Sequence, residues 1–201
     1  GVVVANGNYA AVISVADAAG ASATASVFFD TFAASTLVVE SEDYNFDGGG
    51  FVENPVPIPE NSGPEPNAYG GQTGVPEVDY FETRSTPNGE NTRYRYNDPI
   101  RMQRSFDIVR SRYVDAGGAA AEVYDYEVGD FVAGEWMNYT RTFASGSYEV
   151  YLRQSQVNHA TSECVLERVS GSASEPNQET TLLGSFLGVP SGFLSRNIPL
   201  T

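Results

Sequence analysis

A single cysteine in 201 residues, Cys164, leaves no partner for an internal disulfide framework. Lysine is absent: all eleven basic side chains are arginine, set against 26 Asp and Glu for a net charge of −15. A surface that acidic repels phosphate backbones and anionic lipid, which argues against nucleic acid and anionic membranes as partners. No apolar run approaches the roughly 20 residues of a membrane-spanning helix, so no membrane insertion is expected. The chain starts at Gly1 with no signal-peptide pattern and reads as processed or excised. Catalytic motifs are missing too: no nucleophile elbow, no zinc spacing, no phosphate loop. The one histidine, His159, lies in Asn158-His159-Ala160-Thr161 without a second ligand or nucleophile, and reads as a loop residue. Two acids such as Glu127 and Glu135 would suit glycosidase chemistry. Among 26 acids such pairs arise by chance, so a non-catalytic protein is expected.

What is present favours β structure. Twenty Gly, eleven Pro and twelve Tyr, with no sustained helical period, point to an all-β sandwich. The length suits one domain, or one domain with part of another, and buries a core without staples. Residues 128–153 read as the organising hairpin, two alternating strands around the turn Ala144-Ser145-Gly146-Ser147. Its apolar anchors are Phe131, Trp136, Tyr139, Phe143, Tyr148 and Val150, and Trp136, the only Trp, is the expected core residue. Further strands are expected over 9–15, 22–29, 36–43, 163–169, 180–187 and 193–200. Asp17 to Gly20 make a turn between the first two. Cys164 and Leu166 share a face, so the thiol is expected to be buried and inert.

Three stretches carry candidate chemistry. In 36–43, alternation sets Glu40 and Glu42 on one strand face, with Asp43, Asp47 and Gly48-Gly49-Gly50 close behind. Hard oxygen donors of that kind suit Ca²⁺ better than a transition metal; a solvated acidic strand is the other reading. Residues 52–122 form a long irregular insertion, proline-rich at its start, with a helix start at Asp98-Pro99. Between Arg84 and Arg112 it carries seven Arg and three acids, and Arg93, Tyr94, Arg95 and Tyr96 alternate. These arginines either pair with the protein's own carboxylates or form a basic, aromatic patch for an anionic polysaccharide or an acidic neighbour. On the second reading those four residues bind ligand. Asn138-Tyr139-Thr140 fits the glycosylation sequon.

Two family resemblances follow from these residues. Tyr9, Val12, Ser14, Asp17, Gly20 and Ala23 resemble the last two strands of an immunoglobulin-like module of large bacterial surface proteins. The segments VVESEDYNFDGGG, YDYEVGDFVAGEWMNYTRTFASGSYEVYLR and TTLLGSFLGVPSGF, in that order, resemble carbohydrate-binding modules of families six and thirty-five. The resemblance implies a jelly-roll β-sandwich with a long irregular insertion, non-catalytic glycan binding, a structural calcium and an extracellular or cell-surface location. It implies Glu40 and Glu42 as metal ligands, joined by an Asp on a last strand that this chain lacks. It places two sugar-stacking rings after the glycines aligned with Gly129 and Gly192. The second is Phe193, but the first is Asp130, which cannot stack on a sugar, so the standard cleft is degraded.

The expected organisation is therefore residues 1–34 as an N-terminal β-hairpin from or completing an immunoglobulin-like sheet, then 35–201 as a jelly roll missing its last strands. Each end leaves an unpaired strand edge. Either the chain is a piece of a longer multidomain protein, or one copy's hairpin completes a neighbour's sheet and copies self-associate head to tail into a filament or adhesin.

Overall fold

The computed structural model describes residues 8–31, 33, 35–53, 69–84, 94–104, 126–157 and 160–201. Among them there is no helix, hence none long and apolar enough to cross a membrane. The fold is all-β. Its strands are β1 Asn8–Ala16, β2 Ser22–Asp30, β3 Tyr80–Phe81, β4 Met102–Arg104, β5 Tyr126–Val128, β6 Trp136–Met137, β7 Tyr151–Gln156, β8 Ser162–Val169, β9 Thr180–Gly188 and β10 Gly192–Pro199. They pair two by two: β1 with β2, β3 with β6, β4 with β5, β7 with β10, β8 with β9. Two compact units result, one from 1–38, 147–166 and 182–201, the other from 39–146 and 167–181. This differs from the expected division, which set 1–34 apart from 35–201.

In the first unit, β1 and β2 form a hairpin because short apolar runs flank a strong turn. The Asp17 side chain accepts from the N–H groups of Ala19 and Ala21, both at 2.9 Å, and Gly20 supplies the positive φ of 86°. The β7–β10 pair joins Tyr151–Gln156 to residues more than thirty positions later, with a register irregularity between Gly192 and Arg196. All five strands expected over 9–15, 22–29, 163–169, 180–187 and 193–200 are present within two residues. Cys164 is half-buried on the face of Leu166, and burial pushes its thiol above the usual range.

The second unit is held by tyrosines. Tyr44, Tyr80, Ile100 and Met102 make one buried cluster, with Val128 and Met137 against it; Tyr69, Tyr94 and Tyr126 make another. A buried phenol brings a large apolar ring and a hydroxyl that needs a partner. Tyr44 donates to Asp98, Tyr94 to Asp43, and Tyr69 to the Val52 carbonyl at 3.1 Å. At the centre lies an ion pair: Arg95 and Asp98, their side chains 0% and 1% exposed, meet at 3.1 Å. Arg95 also donates to the carbonyls of Tyr44 (2.7 Å) and Asn45 (2.9 Å), and its guanidinium lies 3.7 Å over the Tyr44 ring. Asp98 accepts further from the Gly74 N–H at 3.1 Å. Burial pushes the Asp98 carboxyl up, against the pull of Arg95 and the hydrogen bonds from Tyr44 and Gly74.

The structure departs from the sequence pattern in several places. Residues 128–153 are not a hairpin: β5, β6 and β7 each pair elsewhere, and Asp130 and Gly134 take positive φ between β5 and β6, breaking the strand. Phe131, Tyr139, Phe143, Tyr148 and Val150 are exposed, and Trp136 is half-buried rather than a core anchor. No strand covers 36–43; a turn from the Asp43 N–H to the Glu40 carbonyl replaces it, and burial runs unbroken from Glu42 to Asn45 instead of alternating. Asp98-Pro99 begins no helix, since Asp98 is turned inward onto Arg95. The described parts of 52–122, expected as an irregular insertion, supply core residues: Tyr69, Tyr80, Tyr94, Ile100 and Met102.

Candidate functional site

The site grows out of the β3–β6 ribbon in the second unit. Its register sets Tyr80 opposite Met137 and Phe81 opposite Trp136. Tyr80 turns into the core, so by alternation Phe81, 38% exposed, and half-buried Trp136 share the outward face. One step further along the same register, Glu82 faces Glu135. Like charges directly opposite repel, and the chain answers this locally. Arg84 grips Glu82 with two parallel bonds, Nε to Oε1 and Nη2 to Oε2, both 2.9 Å, and its backbone N–H adds a third at 3.0 Å. Glu135 takes the Thr83 hydroxyl at 2.7 Å, the Thr83 N–H at 3.2 Å and the Val132 N–H at 2.8 Å. Burial raises the Glu82 carboxyl, but its hydrogen bonds with Arg84, with Glu135 and with the Arg84 backbone outweigh that and hold it at about 2.

The loop leaving β5 completes the corner. The Gly129 N–H bonds the Arg101 carbonyl at 3.0 Å, and Asp130 follows in the left-handed region with φ of 55°. Its carboxylate receives Arg101 Nη1 and lies 4.0 Å from Arg84 Nη1. Phe131 and Val132, next along, are exposed. Two guanidiniums thus meet one carboxylate, with exposed Phe131 next in the chain. Such a set suits hydroxyl-rich or anionic ligands with an apolar face. Acid–base work is a poor fit, because both glutamates of the buried pair are occupied by the chain's own donors.

The residues singled out by sequence fare differently. Tyr94 and Arg95 are fully buried, so neither offers a ligand surface: Tyr94 stacks on Tyr126 at 5.1 Å, and Arg95 is the core cation. Tyr96 is exposed, as is Phe193 at 73%, but Phe193 belongs to the first unit and Tyr96 to the second. Arg93 lies outside the described residues, as does His159. The reading in which arginines pair with the protein's own carboxylates describes Arg84, Arg95 and Arg101. Glu127 accepts from Gln103 Nε2 at 2.5 Å, and the carboxyl facing Glu135 is Glu82 instead.

Glu40 and Glu42 are both buried in the second unit, and Glu42 accepts from the Ser41 hydroxyl at 3.2 Å. Calcium takes six to eight oxygens, and among the described residues no three acidic, His or Cys side chains gather as a metal site. The glycine run that follows Glu40 and Glu42 has another use. Asp47, Gly48 and Gly49 all take positive φ, and the N–H groups of Gly48 and Gly49 reach the buried Asp79 carboxylate at 2.9 and 2.7 Å. The half-buried side chains of the sequon are likewise bonded within the protein: Asn138 Nδ2 donates to the Val78 carbonyl and to Gln178 Oε1, both at 2.6 Å, and Thr140 Oγ1 accepts from Asn45 at 2.9 Å. A glycan on that nitrogen replaces one of its two N–H donors, so at least one of these bonds would be lost.

Phe81, Glu82 and Thr83 went unnoticed in the sequence because a two-residue strand has no periodicity to read. No family model, curated protein or solved structure matches the chain.

Proposed function

We propose that this chain is a non-catalytic, carbohydrate-binding-like jelly-roll module of an extracellular or cell-surface protein, and that its ligand is a polysaccharide or other glycan. The observation that carries the reading is the outward pair Phe81 and Trp136 on the β3–β6 ribbon, together with the surface cluster of Arg84, Arg101 and Asp130 in the same unit. Rings supply the apolar platform for a sugar face, and charged groups meet its hydroxyls. The resemblance of the three sequence segments points the same way. The ligand platform is then displaced from the standard cleft, where Asp130 stands in place of a ring. Affinity electrophoresis against neutral and acidic polysaccharides, with and without calcium, tests this. Retention of the wild type is expected, with about tenfold weaker binding in Phe81→Ala, equivalent to ~1.4 kcal/mol. No retardation by any polysaccharide ends the reading.

A second reading has its own observation. Val12, Ile13 and Val15 are exposed on both faces of β1, and the β1–β2 hairpin carries no charge between Asn8 and Ala16. Natural edge strands usually carry charges that block pairing with other chains, so we propose a structural filament or adhesin subunit as the alternative function. Sedimentation of the full chain should then show concentration-dependent association that Val12→Lys with Val15→Lys removes. A monomer at all concentrations refutes it.

A further inference from the structure

We propose that Arg84 and Arg101 form a subsite for the carboxylate or sulfate of an acidic polysaccharide, and that Asp130 is its built-in occupant. The inference rests on the glycan-binding reading and names the ligand class. Two guanidiniums approach one carboxylate: Arg101 Nη1 binds Asp130 Oδ2, and Arg84 Nη1 stands 4.0 Å from the same oxygen. Paired guanidiniums are the group of choice for carboxylate and sulfate oxygens. Arg84 does not depend on Asp130 for its orientation. Arg84 is oriented from its other side by the two-point grip of Glu82, whose side chain is 2% exposed. The Arg101 stem runs along Gly129, whose N–H bonds the Arg101 carbonyl at 3.0 Å.

Asp130 is the weakly held member. Its side chain is 60% exposed, against 31% for Arg84 and 25% for Arg101. Ion pairs that exposed contribute little and give way to competing anions. Its backbone sits at φ 55°, a region that only Gly, Asn and Asp enter at small cost. An external carboxylate or sulfate therefore exchanges for the Asp130 carboxylate without moving the arginines. The acidic net charge does not forbid this, because exposed charges farther away than about 8 Å are largely screened at physiological salt. Exposed Phe131, the next residue, favours a polysaccharide over a bare anion by offering a ring for the sugar.

Asp130→Asn keeps the backbone conformation and removes the charge, so it is the informative variant. Binding of the full chain is measured against oligogalacturonate, a sulfated galactan, a neutral galactan of matched length and poly-glutamate. Asp130→Asn is expected to bind one or both acidic glycans about tenfold more tightly, with neutral galactan unchanged, and added salt weakening the gain. The arm that gains tells carboxylate from sulfate. Arg101→Gln in the Asp130→Asn background should abolish the gain, with an unchanged urea midpoint confirming the fold. No gain, a gain independent of Arg101, or an equal gain for poly-glutamate overturns the subsite. If the wild type binds neutral galactan while Asp130→Asn gains nothing, only the subsite falls; if no glycan binds either protein, the broader reading falls with it.

Discussion

Arg95→Ala should lose about 3–5 kcal/mol of stability, the cost of stranding one partner of a buried ion pair. The loss has three sources in one side chain. Asp98, 1% exposed, keeps its charge without its counterion. The carbonyls of Tyr44 and Asn45 lose their donors at 2.7 and 2.9 Å. The Tyr44 ring loses the guanidinium stacked 3.7 Å above it. Urea unfolding measures the total. Asp98→Asn strands the Arg95 charge in turn, but Arg95 keeps its two carbonyl acceptors and the amide oxygen can still accept, so its cost should be smaller. The double variant should cost less than the sum of the two, because no unpaired charge is left buried. Arg95→Ala should also recover part of its loss as the pH falls and Asp98 takes up a proton. A cost below about 1 kcal/mol would mean that Arg95 is not the hub of this core.

Alkaline pH should unfold the protein through the same tyrosines. Burial raises the Tyr80 phenol from 10.0 to about 12, and raises Tyr44 and Tyr69 as well. The sign follows from the raised values. The folded state holds these protons more tightly than the unfolded one, so their contribution is whole below pH 10 and is lost as pH climbs toward and past 12. Tyr80 alone should account for roughly 3 kcal/mol over that interval, at 1.36 kcal/mol per pH unit. Urea midpoints between pH 8 and 12, followed beside phenolate absorbance, should fall steeply above pH 10. Tyr80→Phe should flatten the slope. A midpoint indifferent to pH across that range would contradict the buried phenols.

Strands of eight or nine residues were legible: β1, β2, β8, β9 and β10 all lie where apolar runs and turn residues put them. The second unit was not, because its strands are two or three residues long and its order comes from side-chain bonds between distant segments. Arg95 shows why. Alternation with Tyr94 and Tyr96 made a basic surface patch plausible, yet a turn at positive φ and the Asp98 carboxylate three residues on draw it inside. Trp136 shows the converse: the largest apolar side chain is half-buried, while Tyr44, Tyr69, Tyr94 and Met102 fill the core.

The sequence by itself determined that the chain is all-β, where its long strands fall, and that no disulfide can close within it. Local pattern suffices for these, since strand period, turn residues and cysteine count are properties of neighbours or of composition. Only the tertiary structure decided which arginines are core and which stand at the surface, and that Glu82 faces Glu135 beneath the Phe81 and Trp136 pair. Those placements depend on register between segments some fifty residues apart, and burial and charge pairing across that gap leave no periodic trace in either segment alone.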